Sequence, residues 1–149
     1  MTETRPRWLT YLAAGIAVLH LYFNSISSLS ELWTSMLHFG TLGLLTALII
    51  PAHTFWTGRL KIITGLTVGL IVLFTSLYLI GGEDAFYARG QSFTNSDWIA
   101  AVLAVTLALE LTRRTTGWTI PILAILSLTY ATWWGRFIPG VFQFPGLTW

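Results

Sequence analysis

The chain has 149 residues, of which 54% are hydrophobic and 9% charged; a water-soluble surface needs roughly a quarter of its residues charged, so lipid must cover what charge cannot. The formal net charge is +2, from eight Lys plus Arg against six Asp plus Glu, and basic residues scattered singly and in pairs exclude a nucleic-acid surface. The absence of cysteine removes disulfides, thiolate metal sites, iron–sulfur clusters and thiol nucleophiles together.

These constraints point to an all-α, polytopic membrane protein with about five transmembrane helices in a single membrane domain, since a helix needs about 20 mainly apolar residues to cross the hydrocarbon layer. The start, Met1 to Arg7, is short and basic, and the run that follows, 8–26, has the length of a full span rather than the short core of a cleavable signal. It is read as an uncleaved first helix. The runs 32–50 and 60–80 also reach full length. The run 97–113 is shorter and needs help from its ends: Ser96 or Asp97 as an N-cap, and Arg113 and Arg114 snorkelling from the last turn. The run 118–134 closes the set, with Pro121 placed where first-turn N–H groups have no helical partner. For this last pair a re-entrant hairpin or interfacial helices is the alternative.

Between the third and fourth runs lies the segment 81–96, GGEDAFYARGQSFTNS, broken by Gly81, Gly82 and Gly90. The tail 135–149, GRFIPGVFQFPGLTW, turns at Pro139-Gly140 and Pro145-Gly146, and its Phe142, Phe144 and Trp149 fit a segment resting in the membrane surface.

Charge sets the expected orientation. With a cytoplasmic N-terminus the inside receives Arg5, Arg7, Arg59, Lys61, Arg113 and Arg114, while the outside receives only Arg89 and Arg136, which is the positive-inside pattern. The C-terminus is then periplasmic. Trp8, Trp33, Trp56, Trp98, Trp118, Trp133 and Trp134 fall at or just beyond the ends of runs, where indole, with an apolar body and one N–H seeking a wet partner, anchors helices at headgroup depth.

Ionisable groups within spans are costly and raise a functional question. Glu110 has Arg113 at i+3 and Arg114 at i+4 on its own helix face, so a structural ion cluster is expected; a proton relay would need a second acid or His at matching depth. His20 and His38 fall at similar depth in adjacent, oppositely directed helices. They could ligate a b-type haem or a metal, but no second ligand pair accompanies them, and the expectation is a neutral imidazole bonded across helices, with Asn24 or Ser25 as partner. No cofactor is expected, and nothing resembling a catalytic set is present. Gly65 and Gly69 form a G-x-x-x-G that lets a neighbouring helix approach.

Several segments taken in order resemble the amino-terminal membrane region of the TAXI-type permeases of tripartite ATP-independent periplasmic (TRAP) transporters. The stretch from Ala108 to Trp118, with Leu109-Glu110, Arg113-Arg114 and Gly117, is similar to the family's Leu-Glu-x-x-Arg-Arg-x-x-Gly pattern. Leu128-Thr129-Tyr130, Gly135 and Pro139-Gly140 resemble its downstream punctuation, Tyr87-Ala88-Arg89-Gly90 with Thr94 and Asp97 its outer-loop motif, and His38-Phe39 with Pro51 its second helix. Where the family places Pro after the outer-loop Arg-Gly this chain has Phe93, and family members often run on into a large transport domain, whereas this sequence ends at Trp149. The resemblance implies a small membrane subunit, in a bacterial inner membrane, of a secondary transporter for organic acids. Its implied partners are a large multi-helix transport subunit, a periplasmic substrate-binding protein and the bilayer. The chain would scaffold the moving subunit, with Glu83, Asp84, Arg89 and Arg136 as the expected periplasmic contact. A regulatory small subunit of another complex is the remaining alternative.

Overall fold

The computed structural model describes residues 7–53, 56, 58–90 and 92–146; Arg5 and Trp149, given roles above, lie outside them. Among the described residues every regular element is helical. The helices are α1 (Arg7–Ser25), α2 (Glu31–Ile49), α3 (Gly58–Gly81), α4 (Glu83–Ala88), α5 (Asn95–Thr116) and α6 (Thr119–Thr129). A π-helical turn, Tyr130–Trp134, and short 3-10 turns at Gly135–Phe137 and Gly140–Phe142 follow.

Three of these helices, α2, α3 and α5, are long and apolar enough to cross a membrane. The boundaries expected for the first three runs hold to within two residues, but the fourth was underestimated. α5 has 22 residues, or ~33 Å at ~1.5 Å per residue, so it is long enough to span without the assistance expected of its ends. α1 has 19 residues but carries Tyr11, His20, Tyr22 and Asn24 among its apolar positions. The fifth run does not stay α-helical. It changes to a π turn at Tyr130 after 11 residues of α6. The segment 81–96 also differs from a plain loop: α3 runs through Gly81, α4 follows, and among its described residues only Gly90, at φ +63°, acts as the left-handed breaker.

The chain divides into two compact units, residues 1–108 and 109–149. In the first, α2 and α3 are the closest pair, and small residues explain why. Gly40, Gly43 and Ala47 are the buried positions of α2; Gly40 faces Ser76 of α3, Ala47 faces Gly65, and Leu44 faces Gly69. A Cβ on Gly65 would stand 2.6 Å from the Ala47 carbonyl oxygen, and one on Gly69 2.5 Å from a Leu44 methyl. The backbones therefore approach at a distance no larger side chain permits. The Ser76 hydroxyl donates to the Met36 carbonyl across the same seam, and Ser30 caps α2 by accepting from the Trp33 N–H at 3.2 Å.

In the second unit the tail turns back on the end of its own helix. The Tyr130 hydroxyl donates to the Phe142 carbonyl, and Phe144 N–H donates to the Gly135 carbonyl at 3.1 Å. The Tyr130 ring lies 5.0 Å from Trp134 and 6.1 Å from Phe144. Gly135 is required here, because a Cβ would stand 2.6 Å from the Tyr130 carbonyl oxygen.

Large apolar side chains face outward on the long helices, among them Ile62, Phe74, Ile99 and Val102, each more than 55% exposed. Such a surface is normal against lipid and untenable against water.

Candidate functional site

Polar side chains held within this apolar helix set are few, and they gather at separate places. The first is the pair of histidines. His20 and His38 meet with ring centroids 3.8 Å apart and planes inclined at 64°, as their similar depth predicts. The partner of His20 is neither Asn24 nor Ser25. Asn24 Nδ2 donates instead to the His20 backbone carbonyl at 2.8 Å, and the ring contacts Thr41 Oγ1 of α2 at 2.9 Å through Nε2. Thr41 already donates its one hydroxyl proton to the Leu37 carbonyl at 2.6 Å, so it accepts from His20. In the neutral ring the proton then sits on Nε2 and Nδ1 is a lone pair; that atom, like Nδ1 of His38, is buried without a hydrogen-bond partner.

This geometry bears on the haem or metal alternative. A metal bound by one nitrogen from each ring sits ~2.0 Å from both, which places the centroids about 5–6 Å apart. At 3.8 Å the rings leave no such place, and a haem iron would need the same opening. Among the described residues no group of three or more His, Asp or Glu is arranged to hold a metal.

The second place is the start of α5, where Asp97 gathers donors from three segments. Tyr78 of α3 donates its hydroxyl to Oδ1 at 2.9 Å, Arg89, just after α4, donates Nη2 to Oδ2 at 2.7 Å, and the Thr94 N–H donates to Oδ2 at 2.8 Å. Asp97 N–H returns a bond to Thr94 Oγ1 at 3.4 Å, which makes Thr94 and Asp97 a capping box. The cap of α5 is therefore Thr94, in place of Ser96 or Asp97. A Thr followed three residues on by an acid, ahead of an apolar run, is the signal for this arrangement, and it was present in the sequence. The carboxylate is only 5% exposed.

Of the residues expected to form a periplasmic contact, Arg89 is thus engaged with Asp97 and lies 5.6 Å from the Phe86 ring centre. Glu83 is buried, with Oε1 lacking a partner, so it is not the exposed acid that sidedness implied: α4, which begins at Glu83, turns this side chain inward and leaves Asp84 outside. Arg136 belongs to the second unit and lies 4.9 Å from the Phe137 ring centre.

The third place is the end of α5, where the expected ion cluster forms. Arg113 Nε and Nη2 donate to Glu110 at 2.7 and 2.9 Å, and Arg114 Nε donates at 2.8 Å. Arg113 also stands 5.6 Å from the Trp118 ring centre. The fork is bidentate, the strong geometry for an Arg–carboxylate pair, and its charges suit a helix C-terminus. The tryptophans lie where expected: Trp8, Trp33 and Trp98 in first turns, Trp118 just ahead of α6, Trp133 and Trp134 in the π turn, and Trp56 in the connection after α2, its ring 4.8 Å from that of His53.

A scan of protein-family models, a search of curated proteins and a search of solved structures each found no match to this chain.

Proposed function

We propose that the chain is the small membrane subunit of a tripartite secondary transporter, a brace that holds a larger transport subunit in a bacterial inner membrane. The observation that carries this reading is the join between motif and physics at the end of α5. The segment most similar to the TAXI-type pattern is the one in which Glu110 clamps Arg113 and Arg114, so the matching residues are structural, as a scaffold requires. Two further features support it. The long helices carry exposed apolar faces suited to lipid or to another membrane subunit, and they contain none of the broken half-helices that build a substrate site.

On this reading all five runs span, with α1 inserting as the first helix and α6 extended by its π turn. The N-terminus is cytoplasmic and the C-terminus periplasmic, from the bias of Arg and Lys described above. A subunit that moves against the bilayer needs a partner that does not, and the Trp anchors and snorkelling Arg residues hold this one in place. Asp84 and Arg136 remain available on the periplasmic side to touch a binding protein.

Co-purification tests the proposal. Expressed with its genomic neighbours, the tagged chain should bring down a larger multi-span protein and, with a substrate-binding protein added, restore organic-acid uptake. Purified alone in liposomes it should move no solute. Recovery always by itself, or transport by the chain unaided, would overturn the assignment.

A further inference from the structure

Within the first unit α1 is lightly held. Along its 19 residues it buries only Ile16 and His20, whereas α3 buries Gly65, Gly69, Val72, Thr75, Ser76 and Ile80. The ring contact of His20 with His38 and its bond to Thr41 are therefore a large share of what ties α1 to α2. A change of charge at this pair acts on the docking of a whole helix.

The contact suits two neutral rings. His20 gives its one N–H to Thr41, and Nδ1 of both rings is buried without a hydrogen-bond partner. A proton added at His20 Nδ1 creates a second N–H and a full charge with no acceptor beside it among the described residues, and a buried unpaired charge is strongly disfavoured. His38 cannot share that proton in place. A linear N–H···N bond sets imidazole centroids about 5 Å apart, and these stand at 3.8 Å.

No other group compensates. On α1, Asn24 spends its amide on the His20 carbonyl, and Arg7, Tyr11 and Tyr22 are exposed. On α2, Thr41 already donates to Leu37, and Glu31 is exposed at the helix start. On α3, Tyr78 is committed to Asp97, while Arg59 and Lys61 lie about 20 Å along the helix from Ser76, the residue level with Gly40. Glu83 of α4 bonds to neither ring.

We infer that His20 and His38 form a proton-sensitive latch: with both rings neutral they hold α1 against α2, and uptake of one proton by the pair releases α1. Imidazole is the side chain whose charge changes between pH 5 and 8. His20 lies five residues before Ser25, the end of α1, or ~8 Å, so a freed ring reaches interfacial water. The charged ring finds acceptors only after α1 has withdrawn, so docking is complete at high pH and declines as the pH falls. The inference rests on α1 lying in the bilayer, as proposed above, and is independent of the transporter assignment.

Double electron–electron resonance on the full chain in liposomes tests the latch, since a chain without cysteine accepts labelled pairs with no background. Nitroxides at Val18→Cys of α1 and Leu42→Cys of α2, both exposed, should give one short distance at pH 8. A longer population should grow about fivefold by pH 5. The pair Leu42→Cys with Ile71→Cys, on α2 and α3, should not change. His20→Gln keeps an amide donor for Thr41 but cannot take a charge, and His38→Phe keeps an aromatic ring in contact; the two together should hold α1 docked at both pH values. His53→Gln, which removes the third histidine, should leave the response intact. In that His53→Gln chain, histidine ¹⁵N shifts give a check that leaves the latch itself unaltered: an imidazolium signal should rise in step with the released population. A distance that stays single from pH 8 to pH 5, release without an imidazolium signal, or a response that survives the double substitution would each overturn the proposal.

Discussion

At the start of α5, Asp97 gathers donors from α3, from the residue after α4 and from its own cap; at the end of the same helix, Glu110 is held by Arg113 and Arg114 of its own last turn. The first carboxylate is 5% exposed and joins segments distant in sequence, while the second is 29% exposed and joins neighbours at i+3 and i+4. A tie between segments stabilises their packing. A tie within one turn stabilises only that turn, even where, as here, one of its partners, Arg114, is 2% exposed. The two ends of α5 thus separate fold from local order.

Asp97→Ala should have the largest effect of any single change. It strands the Arg89 guanidinium and the Tyr78 hydroxyl and removes the capping box at once. Limited proteolysis should show cleavage between residues 82 and 94 rising about tenfold or more, because local opening governs cutting there. If cleavage is unchanged, Asp97 is no more a fold element than Glu110 and the contrast fails.

Gly65→Leu sharpens the contrast with a long-range contact that holds no charge. The new side chain meets the Ala47 carbonyl oxygen, a backbone atom that cannot swing aside, and overpacking of this kind costs about 2 kcal/mol. Thermal unfolding in detergent, followed by circular dichroism, should register the loss, and Gly15→Leu, at a position with open space around it, should not.

Glu110→Gln keeps an amide oxygen for the buried Arg114 guanidinium but loses the charge-assisted fork to Arg113, and should cost about 1 kcal/mol, with a reduced but cooperative melt. A loss matching that of Asp97→Ala would break the distinction. Thr41→Val is the smallest case. It removes the acceptor of His20 Nε2, and interhelical hydrogen bonds in membranes average about 0.6 kcal/mol.

The same distinction decides what the sequence disclosed. Hydrophobic runs gave α1, α2 and α3 to within two residues at each end, and the Glu110 cluster was readable because i+3 and i+4 spacing alone puts three side chains on one face. Gly65 and Gly69 were readable as a packing motif, although which helix they met was not. The Thr94–Asp97 box is written in the sequence, with its cap at Thr94 and not at Ser96 or Asp97, where the apolar run alone puts it. Thr41 as the partner of His20 and Tyr78 and Arg89 as partners of Asp97 required the fold, since nothing in linear spacing brings residues 20 and 41, or 78 and 97, together. Glu83 is expected as a periplasmic contact from sidedness alone, and the short helix α4, invisible in so brief a segment, buries its side chain. The π turn at Tyr130 is likewise local geometry that hydropathy does not encode.

The central claim, a brace threaded through the bilayer with alternating sidedness, is tested most directly by single-cysteine labelling, which the cysteine-free chain permits without background. His53→Cys, between α2 and α3, and Thr116→Cys, at the end of α5, should react with an impermeant maleimide only after the cytoplasmic face is opened, while Asp84→Cys should react in spheroplasts left intact. Labelling of all three from one side would contradict the account.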